Sequence, residues 1–577
     1  MNCKIIAHIK GTDIVGLVVI SFLMWLTVKN VDVCWGTAET LLLRSLPTLG
    51  IVALSVWMAA GTRSAQYSVQ DVLVILWMTY CFVRAFAGNE YPCASQVLRD
   101  MGFFALYFIL RTLLSCGNIP PCVLIGMIVI GGCYEGLLGL SQIIYGTGRH
   151  YLYQLTGSFL NPGPYSAYPL MALVVGLTAK EKLLGLASKV SETARIHFEY
   201  VYLSCMMLLA FVVIVTWSRA AIVSFVLVAL CFYKKHYWSH RYIVWIATGS
   251  CCLLLYFLKQ GSADGRLLTW TAALTTWLHC PWVGVGIGGF HNACAEGMAE
   301  LYAANADNLL FASGNVAEYA FCDFIKVLVE QGIVGGLFCA ATSIVVLYNV
   351  YGWSRPLFYG MISLVIFSLA SYPFELHPYR IVVVLLAAAT QTWRVPIAVG
   401  SLRKPLVGFL LLGLTAVTLV VAKESKKRFL AQSEAWMLGG RQNVAFVNDF
   451  YKILPVESDN AQFLFDFART LRDAGRYNDS NAMLRQGSLV SGDPMFYVLQ
   501  GNNYKDLACP GLAETAYLKA HAVMPNRMYA LYQLLLLYQS TNQAEKARSI
   551  AGRILRMSPK VSSPATEEII NKAKKCI

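Results

Sequence analysis

The sequence predicts an all-α fold: a polytopic transmembrane helical protein followed by a soluble α-solenoid at the C-terminus. Of the 577 residues, 57% are hydrophobic and only 14% are charged, whereas soluble domains carry about 25% charged residues. Apolar runs long enough to cross the ~30 Å hydrocarbon core of a bilayer recur along most of the chain. After Val421 the composition changes abruptly to polar, helix-forming residues. We therefore predict a membrane domain over 1–425 and a soluble domain over 430–577.

The membrane domain is predicted to contain about 12–13 spans. Their approximate bounds are 11–28, 41–60, 70–87, 98–114, 121–144, 165–178, 199–216, 219–233, 242–258, 324–350, 356–372, 379–394 and 405–422. The sixth is short and follows Asn161-Pro162-Gly163-Pro164, which suggests a tilted or re-entrant helix. The break at Trp217-Ser218 predicts a helical hairpin from the seventh and eighth. The first apolar run has no small-residue cleavage site, so we expect no cleavable signal peptide.

The distribution of Lys and Arg predicts the orientation. With a cytoplasmic N-terminus, the inner loops carry most of the basic residues, as the positive-inside rule requires. These are Lys4, Lys10, Arg63, Arg111, Lys180, Lys182, Lys189, Arg195, Lys234, Lys235, Arg241, Arg355, Arg394, Arg403 and Lys404. An odd number of spans then places the long loop at about 259–323 and the C-terminus on the far side. If the host is a Gram-negative bacterium, the protein lies in the inner membrane and that side is the periplasm.

The net charge of +14 and the 17 Cys do not indicate nucleic-acid or metal binding. The cations are scattered over loops, where they set topology, so no nucleic-acid partner is expected. Most Cys lie inside apolar spans and behave there as small hydrophobes. Neither Cys nor His occurs at metal-binding spacing. We expect no metal and no cofactor.

Cations on the outer side are mostly Arg. Alongside only Lys29 and Lys259, this side carries Arg44, Arg84, Arg99, Arg149, Arg219, Arg266 and Arg380. The guanidinium group binds phosphate bidentately and keeps its charge when partly buried. Arginines at a membrane surface also extend toward lipid headgroups. Both interpretations stay open for Arg44, Arg84, Arg99 and Arg380.

The C-terminal domain shows a period near 34 residues. Three units end at Pro494, Pro525 and Pro559, the first running over 461–494 and the third over 528–559. They resemble tetratricopeptide repeats, which stack into a concave surface that binds protein partners. In the second unit, Cys509-Pro510-Gly511 interrupts the expected turn. We expect a protein partner for this domain and no chemistry in it.

Three stretches before the middle of the long loop attract attention. TGSFLNPGPYSAYPLM (156–171) forms a turn at the outer surface, where Asn161 either breaks the helix or contacts substrate. TWSRA (216–220) puts Arg219 at the outer end of a hairpin, where a cation is costly unless it is paired or faces a ligand. GRLLTWTAAL (265–274) predicts a helix with Arg266 in its first turn, where the dipole disfavours a cation. That placement suggests an anionic ligand.

Two stretches close the loop. HCPWVGVGIGGF (279–290) is Gly-rich but lacks the Lys-Ser/Thr of a phosphate loop, so we interpret it as a compact turn. His291, directly after it, is either structural or a base. AEYAFCDFIKVLVEQGIVGG (317–336) carries Glu318, Asp323 and Glu330 into the tenth span. These carboxylates either accept a proton from a hydroxyl or complement the helix dipole.

These stretches, in this order, resemble the O-antigen ligase and O-antigen polymerase superfamily over roughly 1–425. The resemblance implies an undecaprenyl-pyrophosphate-linked glycan donor, with Arg219 and Arg266 holding the pyrophosphate. It implies lipid A core, another glycan or a protein hydroxyl as acceptor. Many ligases carry a His in an Ala-His-Asn-Glu motif, but this sequence reads Ala320-Phe321-Cys322-Asp323. Asp323, Glu318 and His291 therefore remain candidate bases, and a reaction that needs little base remains an alternative.

The predicted function is a metal-independent glycosyltransferase of the inner membrane that acts on its periplasmic side. Ligase, polymerase and protein O-glycosylation activities remain open. A transporter of lipid-linked glycans is one alternative, although the membrane part shows neither internal repeats nor polar residues deep in its spans. A non-catalytic scaffold for envelope assembly is another, because the family His is absent. Arg219 and Arg266 are the principal site residues in the first interpretation.

Overall fold

A computed structural model describes residues 11–29, 37–60, 68–87, 89–116, 119–148, 153–316, 318–390, 403–559 and 562–577. Within these ranges the protein is built from helices and turns, with no β-strand. The predicted all-α fold is thereby confirmed. Lys4, Lys10, Arg63, Arg149 and Arg394, which enter the orientation argument, lie outside the described residues.

The first part of the chain forms α1 (Gly11–Thr27), α2 (Thr37–Ala60), α3 (Val69–Phe86), α4 (Ala94–Cys116), α5 (Pro121–Tyr145), α6 (Pro162–Ala187), α7 (Glu192–Val215), α8 (Arg219–Phe232), the short α9 (Lys234–Tyr237) and α10 (Arg241–Leu258). The middle part forms α11 (Gln260–Trp277), α12 (Phe290–Ala304), α13 (Asp323–Trp353), α14 (Arg355–Ser368), α15 (His377–Ala389) and α16 (Arg403–Arg441). Side chains cap several helix starts: Ser191 and Ser218 accept from the amides of Ala194 and Ala221 at α7 and α8.

Each predicted span corresponds to one of these helices. Seven helical stretches among the described residues are long and apolar enough to cross a membrane, and four more apolar helices are shorter. A multi-pass membrane protein is therefore supported, and the number of 12–13 crossings stays a prediction. The helix that contains the sixth predicted span, α6, is longer than that span and has 26 residues. Its helix continues past the apolar part through Lys180 and Lys182, because charged residues with good helix propensity extend it.

The membrane bundle packs through small residues. In lipid, helices gain little from hydrophobic burial against each other, so close backbone approach becomes important. A Cβ added to Gly132 on α5 would lie 2.2 Å from the Cβ of Ala172 on α6. Likewise, a Cβ on Gly139 would lie 2.4 Å from the Tyr165 hydroxyl. These glycines let α6 lie at the centre of the bundle, where Tyr165 and Tyr168 are fully buried.

A buried ion pair ties α3 to α4. Arg111 Nε lies 3.1 Å from Asp71 Oδ1, and its Nη2 lies 3.3 Å from Asp71 Oδ2. Tyr107 also donates to Asp71 at 2.6 Å, and Arg111 donates to the backbone carbonyl of Thr390 after α15. Arg111 is only 4% exposed. Its assignment to an inner loop is therefore wrong: the apolar residues around it continue α4 past this charge, which the carboxylate neutralises.

The long loop folds into helices with a core of its own. Leu268, Ala272 and Ala273 of α11 pack against Phe290 and Met298 of α12. The Trp270 indole donates to the carbonyl of Ala320 at 2.7 Å, which fixes the segment before α13. Because α11 begins at Gln260, Arg266 lies in its second turn and the prediction of a first-turn position is wrong. The dipole argument for an anion at Arg266 therefore does not apply.

The C-terminal part forms α17 (Val447–Glu457), α18 (Ala461–Asp473), α19 (Tyr477–Val490), α20 (Met495–Asp506), α21 (Pro510–Val523), α22 (Tyr529–Ser540), α23 (Ala544–Arg556) and α24 (Pro564–Lys574). The boundary predicted near 425–430 falls inside α16, a single helix of 39 residues. Pro510 begins α21, so Cys509-Pro510-Gly511 completes the turn of the second unit and does not interrupt it. The tetratricopeptide assignment stays a prediction.

This helical tail docks on the long loop. Asn292 of α12 donates to the carbonyl of Ser488 at 3.0 Å, and Lys519 pairs with Glu296. The Tyr302 hydroxyl lies 3.1 Å from His521 Nε2. One face of the tail is therefore occupied by α12 of the same chain, and the tail braces the loop that carries Arg266.

Candidate active site

The Gly-rich turn after α11 forms backbone hydrogen bonds with α13 at the point where that helix is interrupted. Gly332 has φ +66°, which interrupts the helix and releases four backbone groups. The carbonyls of Val329 and Glu330 accept from the amides of Val285 and Gly286 at 2.9 and 3.1 Å. The amides of residues 333 and 334 donate to the carbonyls of residues 281 and 282 at 2.9 and 3.1 Å. Backbone released inside a membrane protein needs such partners, so the turn anchors the loop to α13.

Arg219 lies at the first position of α8, beside the end of α10. Its Nη1 donates to the carbonyls of Leu255 and Lys259, both at 3.2 Å. These carbonyls end α10, where the helix dipole favours a cation. The N-terminus of α8 adds its own positive dipole end at the same place. Arg219 is thus held by neutral carbonyls beside a helix start that favours anions.

Arg266 lies on an aromatic face. Its guanidinium carbon is 4.9 Å from the centroid of Phe321, and its Nη1 donates to the carbonyl of Ala370. Burial and the charge of Arg219 lower the pKa of Arg266 to about 10. The two cations therefore interact electrostatically. No carboxylate among the described residues lies within ion-pair distance of either Arg219 or Arg266.

Phe321 is the residue that the sequence resemblance aligns with the family His. Its φ is +51°, a conformation that few residues other than Gly adopt. Its ring meets Tyr372 edge-on at 5.5 Å, and Tyr372 stacks on Tyr319 at 3.7 Å. Phe321 thus belongs to an aromatic cluster that supports Arg266 through a cation–π contact.

Tyr372 and Glu318 complete this group. Burial raises the pKa of Tyr372, the charge of Glu318 raises it further, and Arg266 partly offsets both effects. Of the three predicted base candidates, Glu318 is thus the one shown to interact with this aromatic cluster, and its side chain is exposed. Sequence reasoning missed Tyr372, because nothing in the sequence indicates that the α14–α15 connection lies against Phe321.

Asp323 lies in a second charged group on the other side of the α14–α15 connection. Its Oδ2 accepts from the amide of Phe374 at 3.1 Å. Lys326 pairs with Glu375 at 2.6 Å, and Arg380 pairs with Asp100 at 2.8 Å. Although burial alone would raise it, the neighbouring Lys326 and Arg380 lower the pKa of Glu375 to about 2. Asp323 thus lies beside two ion pairs, and its described hydrogen bond is the one from the backbone of Phe374.

Arg84, Arg99 and Asn161, which the sequence suggested as substrate contacts, each have other described partners. Arg84 donates to the carbonyl of Gly284 at 3.2 Å, so it supports the Gly-rich turn. Arg99 pairs with Glu39 at 3.1 Å, and Arg44 is exposed. Asn161 is exposed, and its side chain accepts a 2.9 Å hydrogen bond from the amide of Gly163. It therefore caps the start of α6, which is a structural role.

His291 lies at the junction between α12 and the tail. Its ring meets Phe290 edge-on at 5.8 Å, and its carbonyl faces Gly492 of the tail. None of its described contacts involves Arg219 or Arg266. Over the part of the chain that the structure describes, no group of three or more His, Cys, Asp or Glu side chains is arranged to hold a metal ion.

Fold and site together define a class: a multi-pass membrane protein with a folded loop and two arginines, Arg219 and Arg266, that have no described carboxylate partner. Residues 203–340 match the family model described as O-antigen ligase. This match runs from α7 through the loop into α13 and includes both arginines. The match shows that this segment is similar to the O-antigen ligase and polymerase superfamily, and it supports a membrane glycosyl-transfer function. No curated protein matches the chain.

Proposed function

We propose that this protein is an inner-membrane glycosyltransferase that moves a glycan from an undecaprenyl-pyrophosphate donor to an acceptor hydroxyl on the periplasmic side. One observation carries the proposal: inside an O-antigen ligase domain, Arg219 and Arg266 interact electrostatically and no described carboxylate neutralises them. Two neighbouring cations repel each other, so their arrangement becomes favourable when an anion with more than one charge binds between them. A diphosphate carries that charge.

In this mechanism the arginines act on the leaving group. The acceptor oxygen attacks the anomeric carbon from the face opposite the pyrophosphate, so we expect inversion. The bond between that carbon and the pyrophosphate oxygen breaks, and the oxygen leaves with the electron pair. Arg219 and Arg266 stabilise the growing negative charge, which preorganised donors do most strongly in the transition state.

A base must accept the proton that the acceptor hydroxyl loses. Phe321 has no proton-accepting group, and Asp323 belongs to the charged group beyond the α14–α15 connection. We assign the base role to Glu318, whose charge influences Tyr372 beside Arg266. An exposed carboxylate is a weak base at neutral pH, so we expect this role to contribute less than the arginines.

A transfer assay tests the proposal. Purified protein in nanodiscs receives a fluorescent undecaprenyl-pyrophosphate glycan and an acceptor extract, and the product is separated by gel. We expect transfer by the wild type, with and without EDTA, and by the exposed control Arg195→Lys. Bond formation that survives both Arg219→Lys and Arg266→Lys would refute the assigned roles. Movement of the donor across the bilayer without transfer would indicate a transporter, and inertness would indicate a scaffold.

The acceptor is identified in cells. In a deletion strain, single repeat units on lipid A core would indicate a polymerase. Loss of all attached glycan would indicate a ligase, and under-glycosylated proteins with normal lipopolysaccharide would indicate protein O-glycosylation. The partner of the C-terminal repeats, if any, would be recovered by crosslinking on the tail surface that α12 leaves open.

A further inference from the structure

A cavity of about 320 Å³ lies next to the arginine site. The two are separated by residues 370–375, which join α14 to α15. Arg266 contacts Ala370 at the start of this segment, whereas Phe374 and Glu375 at its end line the cavity. The walls come from α3, α4, α13, α14 and α15. The cavity is therefore distinct from the group around Arg266 but adjacent to it.

One end of the cavity is strongly polar. It is lined by the charged residues Asp100, Asp323, Lys326, Glu330, Glu375 and Arg380. Four carboxylates thus face two cations. Arg380 binds one oxygen of Asp100, Lys326 binds one oxygen of Glu375, and the amide of Phe374 donates to one oxygen of Asp323. Glu330 accepts from Gln96 and from the backbone of Phe290. The excess of acceptor oxygens is a surface for hydroxyl donors.

The other end is apolar and follows the helices away from the long loop. On α15 the lining passes from Arg380 to Val384 and Ala387, one and two helical turns further on. On α13 it passes from Glu330 to Val346 and Leu347. The cavity therefore has the polarity of an amphiphile, with a polar end near the loop and an apolar end deeper in the bundle.

Thr342 supplies an independent sign of a ligand. It lines the cavity between the two ends and is only 7% exposed. Its hydroxyl has no hydrogen-bond partner among the described residues. Buried hydroxyls are rarely left without a partner, because the unmet bond destabilises the fold. A ligand in the cavity would satisfy it.

The charged residues at the polar end favour an uncharged headgroup over a phosphate headgroup. A phosphate headgroup would meet more carboxylates than cations, and like charges about 4 Å apart repel appreciably even near a protein surface. Sugar hydroxyls, in contrast, donate hydrogen bonds to carboxylates without this penalty. The arginine site has the opposite character, since Arg219 and Arg266 lack carboxylate partners. The two neighbouring sites thus suit the two substrates of a glycosyl transfer.

We propose that this cavity binds the acceptor as an amphiphile, with a hydroxyl-rich and phosphate-free headgroup at the carboxylates and its hydrocarbon part among the valines. The role as acceptor rests on the proposed function, whereas the binding site itself does not. Glu330 and Thr342 are binding residues in this account, whereas Glu318, on the other side of residues 370–375, keeps the role of base.

Two amphiphiles with the same chain test the headgroup preference without any chemistry. Decyl β-maltoside and decyl phosphate are titrated, below their micelle concentrations, against protein in nanodiscs, and empty nanodiscs correct for partitioning. We expect saturable maltoside binding and at least about tenfold weaker phosphate binding. Glu330→Gln should weaken maltoside binding about tenfold, because one acceptor loses its charge. Glu192→Gln, exposed on α7, is the matched control and should bind as the wild type does.

Thr342→Val separates binding from folding. Val has the shape of Thr without the hydroxyl, so removing an unsatisfied buried group should keep or raise the thermal midpoint. The same change should weaken maltoside binding about threefold. A lowered midpoint with unchanged binding would show that the hydroxyl serves the fold and would overturn its assignment as a ligand contact.

The outcomes also separate this proposal from the glycosyltransferase proposal. Tighter binding of decyl phosphate, no saturable maltoside binding, or wild-type affinity in Glu330→Gln would overturn the cavity assignment even if transfer is observed. If transfer is absent but the maltoside preference holds, the site stands and the acceptor role fails. In an active protein, Glu330→Gln should raise the KM for the acceptor and leave the KM for the donor unchanged.

Discussion

Two arginines, Arg111 and Arg266, show what a cation needs in this protein. Arg111 is 4% exposed and donates to both oxygens of Asp71 and to a backbone carbonyl, and Tyr107 donates a further hydrogen bond to Asp71. Arg266 is half-buried and has a carbonyl, an aromatic ring and a second cation as its described neighbours. One charge is neutralised within the fold, and the other is the one for which we propose an anionic ligand.

The difference separates a structural role from a functional one. A buried charge that keeps its partner ties helices together, and losing the partner is strongly destabilising. A charge held by neutral groups raises the free energy of the empty protein, and a bound anion recovers that energy. The pKa of Arg266, lowered to about 10, reflects this cost. Sites of this kind are typically less stable than they would be without their function.

Removing the carboxylate from the paired arginine should have the largest effect. Asp71→Asn leaves Arg111 buried with an uncompensated charge, so we expect a loss of about 3–5 kcal/mol in the free energy of unfolding. The exposed pair of Asp449 with Lys452 is the control, and Asp449→Asn should cost less than about 1 kcal/mol. Thermal unfolding in detergent, followed by circular dichroism, measures both. Equal midpoints for the two variants would contradict the structural role of Asp71.

Arg266→Lys should separate activity from stability. A point charge cannot replace the planar fork, so we expect glycan transfer to fall by about 10²–10³-fold, the effect of losing one preorganised donor. The unfolding midpoint should stay unchanged or rise, because a strained cation is replaced by a more adaptable one. Parallel measurements of transfer and melting test this. A fall in the midpoint comparable to that of Asp71→Asn would assign Arg266 a structural role.

The same site predicts a pH dependence of anion binding. Arg266 loses its proton as the pH rises through about 10, earlier than an ordinary Arg would. Diphosphate affinity should therefore fall above that pH, up to tenfold per unit. Binding titrations between about pH 8 and about pH 11 test this, because that range includes the lowered pKa of Arg266. Arg266→Gln, which has no charge to lose, is the control. An affinity that is constant across this range would contradict the role of Arg266.

A third arginine, Arg553, lies at the junction between the tail and the loop, where one of its described partners is the neutral ring of His521. It donates to His521 Nε2 at 3.0 Å, and burial together with Arg553 lowers the pKa of His521 to about 4. In the unfolded chain, His521 takes up a proton below about pH 6.5. In the folded protein, it takes up that proton only below about pH 4. Stability should fall by roughly 3 kcal/mol across that window and stay constant above it. Melting curves should show this fall in the wild type and a flatter profile in His521→Gln; identical profiles would contradict it.

Phe321→Leu should have the smallest effect. The substitution keeps an apolar side chain but removes the ring under Arg266, and a cation–π contact at a partly exposed site contributes about 0.5–1 kcal/mol. We expect transfer to fall by about two- to fivefold, the rate equivalent of that energy. The transfer assay measures it, with Phe211→Leu, exposed on α7, as the control. A loss as large as that of Arg266→Lys would mean that Phe321 contributes more than a surface for the guanidinium.

The sequence predicted the helices well because their apolar runs and caps are local signals. One local feature was missed: the start of α11, because Lys259 separates two helices without a strong cap. The other misses concern contacts between residues that are far apart in the sequence. Tyr372 was missed because its contact with Phe321 spans about fifty residues. The cavity was missed for the same reason: Asp100, Glu330 and Arg380 meet only after α4, α13 and α15 pack together.

The central claim is that Arg219 and Arg266 bind one diphosphate together. Titration of farnesyl pyrophosphate against the wild type, Arg219→Gln, Arg266→Gln and the double variant tests it most directly, with farnesol as the uncharged control. We predict that each single change weakens diphosphate binding at least about tenfold. The double change should weaken it by less than the product of the two, because the residues share one ligand, and farnesol binding should not change. Wild-type affinity in either single variant, or strictly multiplicative losses, would contradict the claim.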